Sequence, residues 1–156
     1  MPCKGYGCRV DRHPRNPHIS NKRFSRILIR ASRAREKLWA KCVFLLAGSD
    51  FGVSLPASTF LPHPHGIVVG RGVRLGSQVV IGHQVTLGGT EFDLHKMPEI
   101  QDGVYLGAGC KVLGPVVVGE GATVGANAVV TKDIPPGSVV VGANRILEGH
   151  RSPYAR

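Results

Sequence analysis

Four histidines between residues 63 and 95 could transfer protons or bind a metal ion. They are His63, His65, His83 and His95. Imidazole is the side chain best suited to take a proton from a hydroxyl near neutral pH, and it is also a common metal ligand. The residue types do not separate a general base from a ligand, so both chemistries stay open at this point.

A second group of metal-binding residue types lies at the N-terminus. Cys3, Cys8, His13 and His18 each follow the previous one by five residues. The gap between the cysteine pair and the histidine pair is four residues, whereas a zinc finger uses a dozen or more to close its chelating loop. The segment also contains three prolines. We therefore expect a mobile tail with a chance spacing, and no metal site.

The elements that position these residues follow from a six-residue repeat between Val69 and Ile134. An aliphatic residue, in most cases followed by glycine or a small polar residue, recurs at Val69, Leu75, Ile81, Leu87, Ile100, Leu106, Val112, Val118, Val124 and Val130. A smaller residue lies four places after most of these: Val73, Val79, Val85, Val104, Cys110, Val116, Ala122 and Ala128. Six residues are too few for a helical repeat, so each unit is a short strand and a turn. The pattern predicts an all-β parallel β-helix with these side chains inside.

The repeat is interrupted at two places, and three of the histidines lie there. Thirteen residues separate Leu87 from Ile100, which predicts a protruding loop that contains His95. Residues 61–66, before the regular coils, contain His63 and His65. Loops on a rigid scaffold commonly carry function. Extending the register back gives His63 an inward position, so a packed structural role also stays open.

Length and composition predict one domain with an appendage. The chain has 156 residues, with 21 glycines and 11 prolines, which suits a turn-rich solenoid. We divide it into a basic tail and amphipathic helix (1–50), a coil (51–147) and a C-terminal tail (148–156). The sequence shows no signal peptide and no membrane span, so an intracellular, reducing setting is expected.

The whole net charge of +10 belongs to residues 1–46, which hold twelve Lys or Arg and two acids. This segment has an apolar stripe at helical spacing: Phe24, Ile27, Leu28, Ala31, Ala34, Leu38, Cys42 and Leu45. We predict a helix that Ser20 caps and Gly48 ends, with the stripe packed on the coil or on a neighbouring subunit. The basic face is either solvated or attracts nucleic acid or an anionic membrane. No aromatic or groove-reading pattern supports nucleic acid, so no nucleic-acid partner is expected.

Longer motifs give a family resemblance. Residues 61–70 (LPHPHGIVVG) and 85–90 (VTLGGT) resemble the hexapeptide-repeat acyltransferases, and among these the serine acetyltransferases. Residues 106–114, 124–130 and 131–138 continue the pattern, and the similarity covers residues 52–147. The resemblance implies a left-handed β-helix with three flat faces and a cytoplasmic homotrimer. It also implies that acetyl-CoA binds between two subunits as the acetyl donor, without a metal.

The same resemblance assigns roles at the interruptions. His63 matches the general base that deprotonates the acceptor hydroxyl, which then attacks the thioester directly. His95 is a candidate second catalytic group. A backbone N–H of Gly88 or Gly89 stabilises the oxyanion, and Lys96 contacts the acceptor.

Coenzyme A is expected along the later coils. Its pantetheine arm would pass Gly107, Ala108, Gly125 and Ala126, where small residues allow close approach. Basic positions at the end of the coil, Lys132 and Arg145, would meet the nucleotide phosphates.

The sequence departs from the serine enzymes at the positions that recognise serine. Pro62 replaces the Asp that usually precedes the base, and Lys96-Met97-Pro98 replaces Arg-His-Pro, with His95 two places too early. Lysine lacks the bidentate fork of arginine. Three functions therefore stay open: O-acetylation of serine or a serine-like molecule, O- or N-acetylation of a sugar or polysaccharide precursor, and a zinc-dependent hydratase of the carbonic-anhydrase type.

Overall fold

The computed structural model describes residues 12–90 and 96–155 of the chain. A short hairpin, β1 (Arg12–His13) and β2 (Asn16–Ser20), precedes the helices α1 (Arg23–Ser32) and α2 (Leu38–Ala47). The strands that follow are β3 (Asp50–Phe51), β4 (Val68–Val69), β5 (Arg74–Leu75), β6 (Val80–Ile81), β7 (Thr86–Gly88), β8 (Glu99–Ile100), β9 (Tyr105–Leu106), β10 (Lys111–Leu113), β11 (Val117–Val118), β12 (Thr123–Val124), β13 (Val129–Val130), β14 (Ser138–Val141) and β15 (Arg145–Arg151).

The strands from β3 onward coil so that each pairs with the strand one turn later. Within the described residues they form three sheets, in the orders β13-β10-β7-β4-β3, β11-β8-β5 and β15-β14-β12-β9-β6. All these pairings are parallel except β14 with β15. Val69 pairs with Leu87, eighteen residues later, whereas Leu87 pairs with Val112, twenty-five residues later. The predicted parallel coil is confirmed. The longer turn contains the interruption of the repeat, of which residues 91–95 lie outside the described residues.

The repeat positions form the core of the coil. Of the ten aliphatic positions, nine are buried, and Leu75 is partly buried against the same cluster. The smaller residues four places later are also buried, Cys110 among them. Two inward side chains per strand-and-turn unit thus fill the interior, as the two-residue alternation of a strand requires.

Left-handed backbone conformations recur at the same corner of successive turns. Gly66, Gln84, Gly109 and Asn127 have φ values of 67°, 57°, 72° and 54°. Glycine and asparagine adopt this conformation readily, whereas Gln84 does so at a cost of about 1–2 kcal/mol. The corner is therefore imposed by the coil, because each of these residues must turn the chain onto the next face.

The helical segment differs from the single helix that we predicted. Lys22 precedes α1 and makes no capping side-chain bond, so the prediction of a Ser20 cap is wrong. The chain then turns between α1 and α2, and Ser32 fixes the end of α1 because its Oγ accepts a hydrogen bond from the Leu55 amide at 3.0 Å. Gly48, with a φ of 56°, ends α2 as predicted.

The predicted apolar stripe is only partly buried. Leu28 and Ala31 are buried, but Ile27 of α1 and both Leu38 and Leu45 of α2 are exposed, so the stripe is not one continuous buried face. Packing of the whole stripe onto this chain's own coil is therefore wrong. Within the described ranges, no helix is long and apolar enough to cross a membrane.

Residues 12–20 were expected to belong to a mobile tail, but they form the hairpin β1-β2. His13 is buried, with its ring edge-on to Phe60 at 5.0 Å and to Tyr154 at 5.5 Å. Tyr154 in turn stacks on Tyr105 of the coil. Aromatic packing therefore joins both ends of the described chain to the coil. The strand β15 runs across residue 147, where we had placed the end of the coil segment.

Candidate active site

The predicted base, His63, is exposed at the edge of the coil. Leu61, Pro64 and Ile67 around it are buried. The inward residues in this stretch are three apart rather than two, so the repeat register does not extend back to His63. The inward position that the register gave His63 is therefore wrong, and its imidazole is open to solvent.

The segment before His63 is held by two buried polar side chains near the start of α1. Asn21 accepts a hydrogen bond from the Leu61 amide and donates one to the Thr59 carbonyl, both at 2.8 Å. The Ser25 hydroxyl donates to the Leu61 carbonyl at 2.7 Å. Buried backbone groups need such partners, so this helix fixes the chain two residues before His63. Asn21 and Ser25 were not predicted, because no spacing in the sequence distinguishes them.

Within the described residues, the ring of His83 lies beside that of His63. Their ring centroids are 6.2 Å apart and the planes are nearly perpendicular. His65 points elsewhere, because its ring stacks on Phe24 of α1 at 5.9 Å. Among the described residues, no carboxylate is hydrogen-bonded to His63. The pair His63–His83 therefore forms an exposed imidazole cluster, and no acid within residues 12–90 and 96–155 orients it.

His65 and His83 do occupy equivalent backbone positions on successive turns, as their eighteen-residue spacing predicts, and Ala108 and Ala126 continue this column. The amide that follows each position bonds to the carbonyl one turn earlier at 2.8 Å: Gln84 to His65, Gly109 to His83 and Asn127 to Ala108. Ala108 is half-buried and Ala126 is exposed. One edge of the coil thus carries histidines at its start and small residues on the later turns.

The glycines that we predicted to line coenzyme A, Gly107 and Gly125, are also required by the packing of neighbouring turns. A methyl group on Gly107 would lie 2.7 Å from the Ala126 amide nitrogen. One on Gly125 would lie 3.0 Å from the Val141 side chain. The turns therefore require these glycines for close stacking, and a ligand along this edge would contact Ala108 and Ala126 more directly.

The interruption of the repeat begins at the end of β7. A methyl group on Gly88 would meet no described atom within 4 Å, so the space beside the Gly88-Gly89 turn is open. His95 lies outside the described residues. Lys96, directly after it, is exposed. Met97 packs against the core. A methyl group added to Gly70 would lie 3.4 Å from the Met97 sulfur.

The predicted phosphate-binding residues Lys132 and Arg145 directly follow, in the chain, two residues that are hydrogen-bonded to each other. The Asn144 side chain accepts a bond from the Thr131 amide at 2.7 Å and donates one to the Thr131 hydroxyl at 2.8 Å. Lys132 and Arg145 come next in the chain, and both are exposed. These bonds bring two cations to the same end of the coil, and neither forms an ion pair within the described residues.

The cysteine and histidine spacing at the N-terminus does not assemble in the described part of the chain. Cys3 and Cys8 lie outside the described residues, His13 is buried between aromatic rings, and His18 is exposed. No group of three or more potential metal ligands occurs within residues 12–90 and 96–155.

Comparison with known proteins gives the same architecture. Residues 97–132 match the family of bacterial transferase hexapeptide repeats (six repeats). The chain is 40% identical over 127 residues to the serine acetyltransferase of Mycobacterium tuberculosis, a match that covers 80% of this chain and 56% of that protein. The coil is therefore similar to the bacterial hexapeptide transferases and to serine acetyltransferases.

Solved structures extend the similarity to three dimensions. The serine acetyltransferase of Vibrio cholerae O1 biovar El Tor N16961 aligns with a TM-score of 0.63 and 31% identity, over 83% of this chain and 54% of that one. The soybean serine acetyltransferase complexed with serine aligns with a TM-score of 0.58 and 35% identity, over 78% and 54%. This chain spans about half the length of the relatives it matches.

The hexapeptide match covers only part of the candidate site. Ala108, Ala126 and Lys132 lie within residues 97–132, whereas His63 and the Gly88-Gly89 turn precede them. Ala108, Ala126 and Lys132 thus lie in the matched repeat, and the imidazole cluster precedes it.

Proposed function

We propose that this chain is an acetyltransferase that moves the acetyl group of acetyl-CoA to the hydroxyl of serine or a closely similar small acceptor. The observation that carries the proposal is the exposed His63–His83 pair at the start of a coil edge that continues through Ala108 and Ala126. The similarity to serine acetyltransferases supports both the donor and the acceptor.

His63 acts as the general base in this proposal. Its ring nitrogen takes the proton from the acceptor hydroxyl as the oxygen attacks the thioester carbonyl. The new C–O bond forms, the tetrahedral oxyanion collapses, and the C–S bond breaks to release coenzyme A, whose sulfur takes the proton back from the imidazolium. An N–H of the Gly88-Gly89 turn stabilises the oxyanion. His83, beside His63, keeps the ring at the coil edge.

The donor lies along the edge of small residues. Neighbouring turns are about 4.8 Å apart, so an extended pantetheine arm crosses several of them. Ala108 and Ala126 line the arm, Gly107 and Gly125 lie next to them, and the cations Lys132 and Arg145 bind the nucleotide phosphates at the far end.

The loop supplies the acceptor side. Lys96 contacts the acceptor as a point charge, and His95 is the second polar group of the loop. O- or N-acetylation of a sugar gains no support from the relatives described above, which are serine acetyltransferases. The same holds for the zinc-dependent hydratase.

The finer features of the assembly belong to the same proposal. We infer a left-handed sense for the coil from the similarity to hexapeptide proteins, and a cytoplasmic homotrimer in which two subunits enclose the donor. The three-segment division of the chain remains an interpretation of the sequence.

A thiol-release assay with acetyl-CoA and serine tests the proposal. His63→Ala is expected to lower kcat by roughly 10²–10⁴-fold, the range for loss of a general base. His65→Ala is the matched control, because His65 is an exposed histidine of the same segment whose ring is turned toward Phe24. Turnover that survives His63→Ala would refute the mechanism. Turnover of sugars in preference to serine would refute the acceptor.

A further inference from the structure

We infer that the outer face of α2 docks on an anionic lipid bilayer. This outer face consists of Leu38, Cys42, Leu45 and Leu46, all exposed. Leu38, Leu45 and Leu46 are 77%, 82% and 79% exposed, although leucine is usually buried. The inference concerns a surface that the proposed acetyl transfer does not use.

The exposed leucines form one continuous stripe. Their spacing of three, four and seven residues places them on one side of the helix. The opposite side carries the buried residues Ala40, Phe44 and Ala47, which pack on the coil and on α1. A helix that is apolar on both sides is expected to be covered on both sides. Within the described part of the chain, the inner side is covered and the outer side is not.

Cations border the apolar stripe. Lys37 and Lys41 form the neighbouring row on α2, since they are four residues apart and each lies next to the stripe. Both are exposed, and so are Arg23, Arg30 and Arg33 of the preceding helix and turn. An apolar stripe flanked by lysine and arginine is the pattern of helices that lie in the interface of anionic membranes.

The other border carries the chain's single tryptophan, Trp39, which is 41% exposed. Tryptophan favours the boundary between lipid headgroups and acyl chains, because its ring is apolar and its N–H is polar. Leucines in the centre, lysines on one side and tryptophan on the other therefore match the layers of a bilayer surface.

The charge distinguishes a bilayer from the other possible occupants. A second copy of this face would bring two strongly cationic segments together, which repel each other. Nucleic acid would satisfy the cations but leave the leucines in water. Of these three occupants, an anionic bilayer satisfies both the charge and the apolar area.

Trp39 reports the docking directly. The full-length protein is mixed with vesicles of phosphatidylcholine alone or with about 30% phosphatidylglycerol, and tryptophan emission and flotation are measured. We expect a blue shift and flotation with the anionic vesicles only, and weaker binding as NaCl rises from about 0.05 to 0.5 M, because salt screens the surface charge.

Two variants separate the contributions. Leu45→Glu/Leu46→Glu and Lys37→Glu/Lys41→Glu should each weaken vesicle binding by at least about tenfold. Ile146→Glu, a charge placed on an exposed aliphatic residue of β15, is the matched control and should bind like the wild type. Far-UV circular dichroism checks that each variant is folded.

Three results would overturn the inference. The first is equal binding to vesicles without phosphatidylglycerol. The second is binding of duplex DNA that survives Leu45→Glu/Leu46→Glu, with no binding to vesicles. The third is an oligomer that this double variant dissociates, seen by analytical ultracentrifugation, in a wild type that ignores vesicles.

Discussion

The coil and the helical segment (residues 22–48) bury their apolar residues to very different extents. In the coil, Leu106 and eight of its nine equivalents are buried, whereas Leu45 of α2 is 82% exposed. Each coil position meets the same position one turn away, so the period fixes which side chains lie inside. A helix has no such partner of its own. Which of its faces is buried depends on where it docks.

The cysteines provide the sharpest test of this difference, since each region contains one. Burial raises the pKa of the Cys110 thiol to about 12, whereas Cys42 is exposed on α2. About one Cys110 thiol in ten thousand is then ionised at pH 8. Native protein should therefore label at Cys42 roughly a thousandfold faster, measured by maleimide modification and peptide mass spectrometry. Equal rates before unfolding would show that the coil core is open.

Leucine truncation compares the two regions in stability. Leu106→Ala should lower the free energy of unfolding by about 2–5 kcal/mol, because it leaves a cavity in the coil core. Leu45→Ala should change it by less than about 0.5 kcal/mol, since the side chain is exposed. Urea unfolding measures both. A large loss for Leu45→Ala would mean that another subunit covers α2.

The hydrogen bonds that join the helical segment to residues 59–61 should have an intermediate effect on the free energy of unfolding. Asn21→Ala removes two buried hydrogen bonds to residues 59–61 and leaves backbone groups unsatisfied. The expected cost is about 1–3 kcal/mol. If the helix positions His63, kcat should also fall. Asn16→Ala is a control, because its side chain bonds to Tyr154 at 3.4 Å and to the His18 amide at 3.1 Å, and not to residues 59–61. Unchanged stability for Asn21→Ala would show that these hydrogen bonds do not stabilise the contact between the helical segment and residues 59–61.

His13 should have the smallest effect on the free energy of unfolding, and this effect depends on pH. Burial lowers the pKa of His13 below its usual 6.5. The contribution of neutral His13 to the free energy of unfolding is therefore fully present above pH 6.5. It falls as the pH drops toward the lowered pKa, because the unfolded chain takes up the proton first. The slope is at most about 1.4 kcal/mol per pH unit. His13→Phe should flatten this dependence in urea unfolding between pH 7 and 5, and an unchanged slope would exclude His13 as its source.

Much of the coil could be predicted from the sequence, and less of the site. The period identified the inward residues and the protruding loop, and Gly48 marked the end of a helix. The break between α1 and α2 escaped prediction, because it depends on contacts of Ser32 with a residue far along the chain. The ring contact of His83 with His63 escaped prediction for a similar reason. Ring orientation depends on neighbours, and the His65 ring stacks on Phe24 instead.

The sequence by itself determined the parallel coil, its six-residue period and the location of its interruptions. A short period leaves one way to bury an aliphatic residue in every unit. Only the tertiary structure decided that His63 is exposed beside His83, that Asn21 and Ser25 hold its segment, and that α2 presents leucines outward. Those outcomes depend on contacts between residues distant in the chain, whose pairing no local pattern encodes.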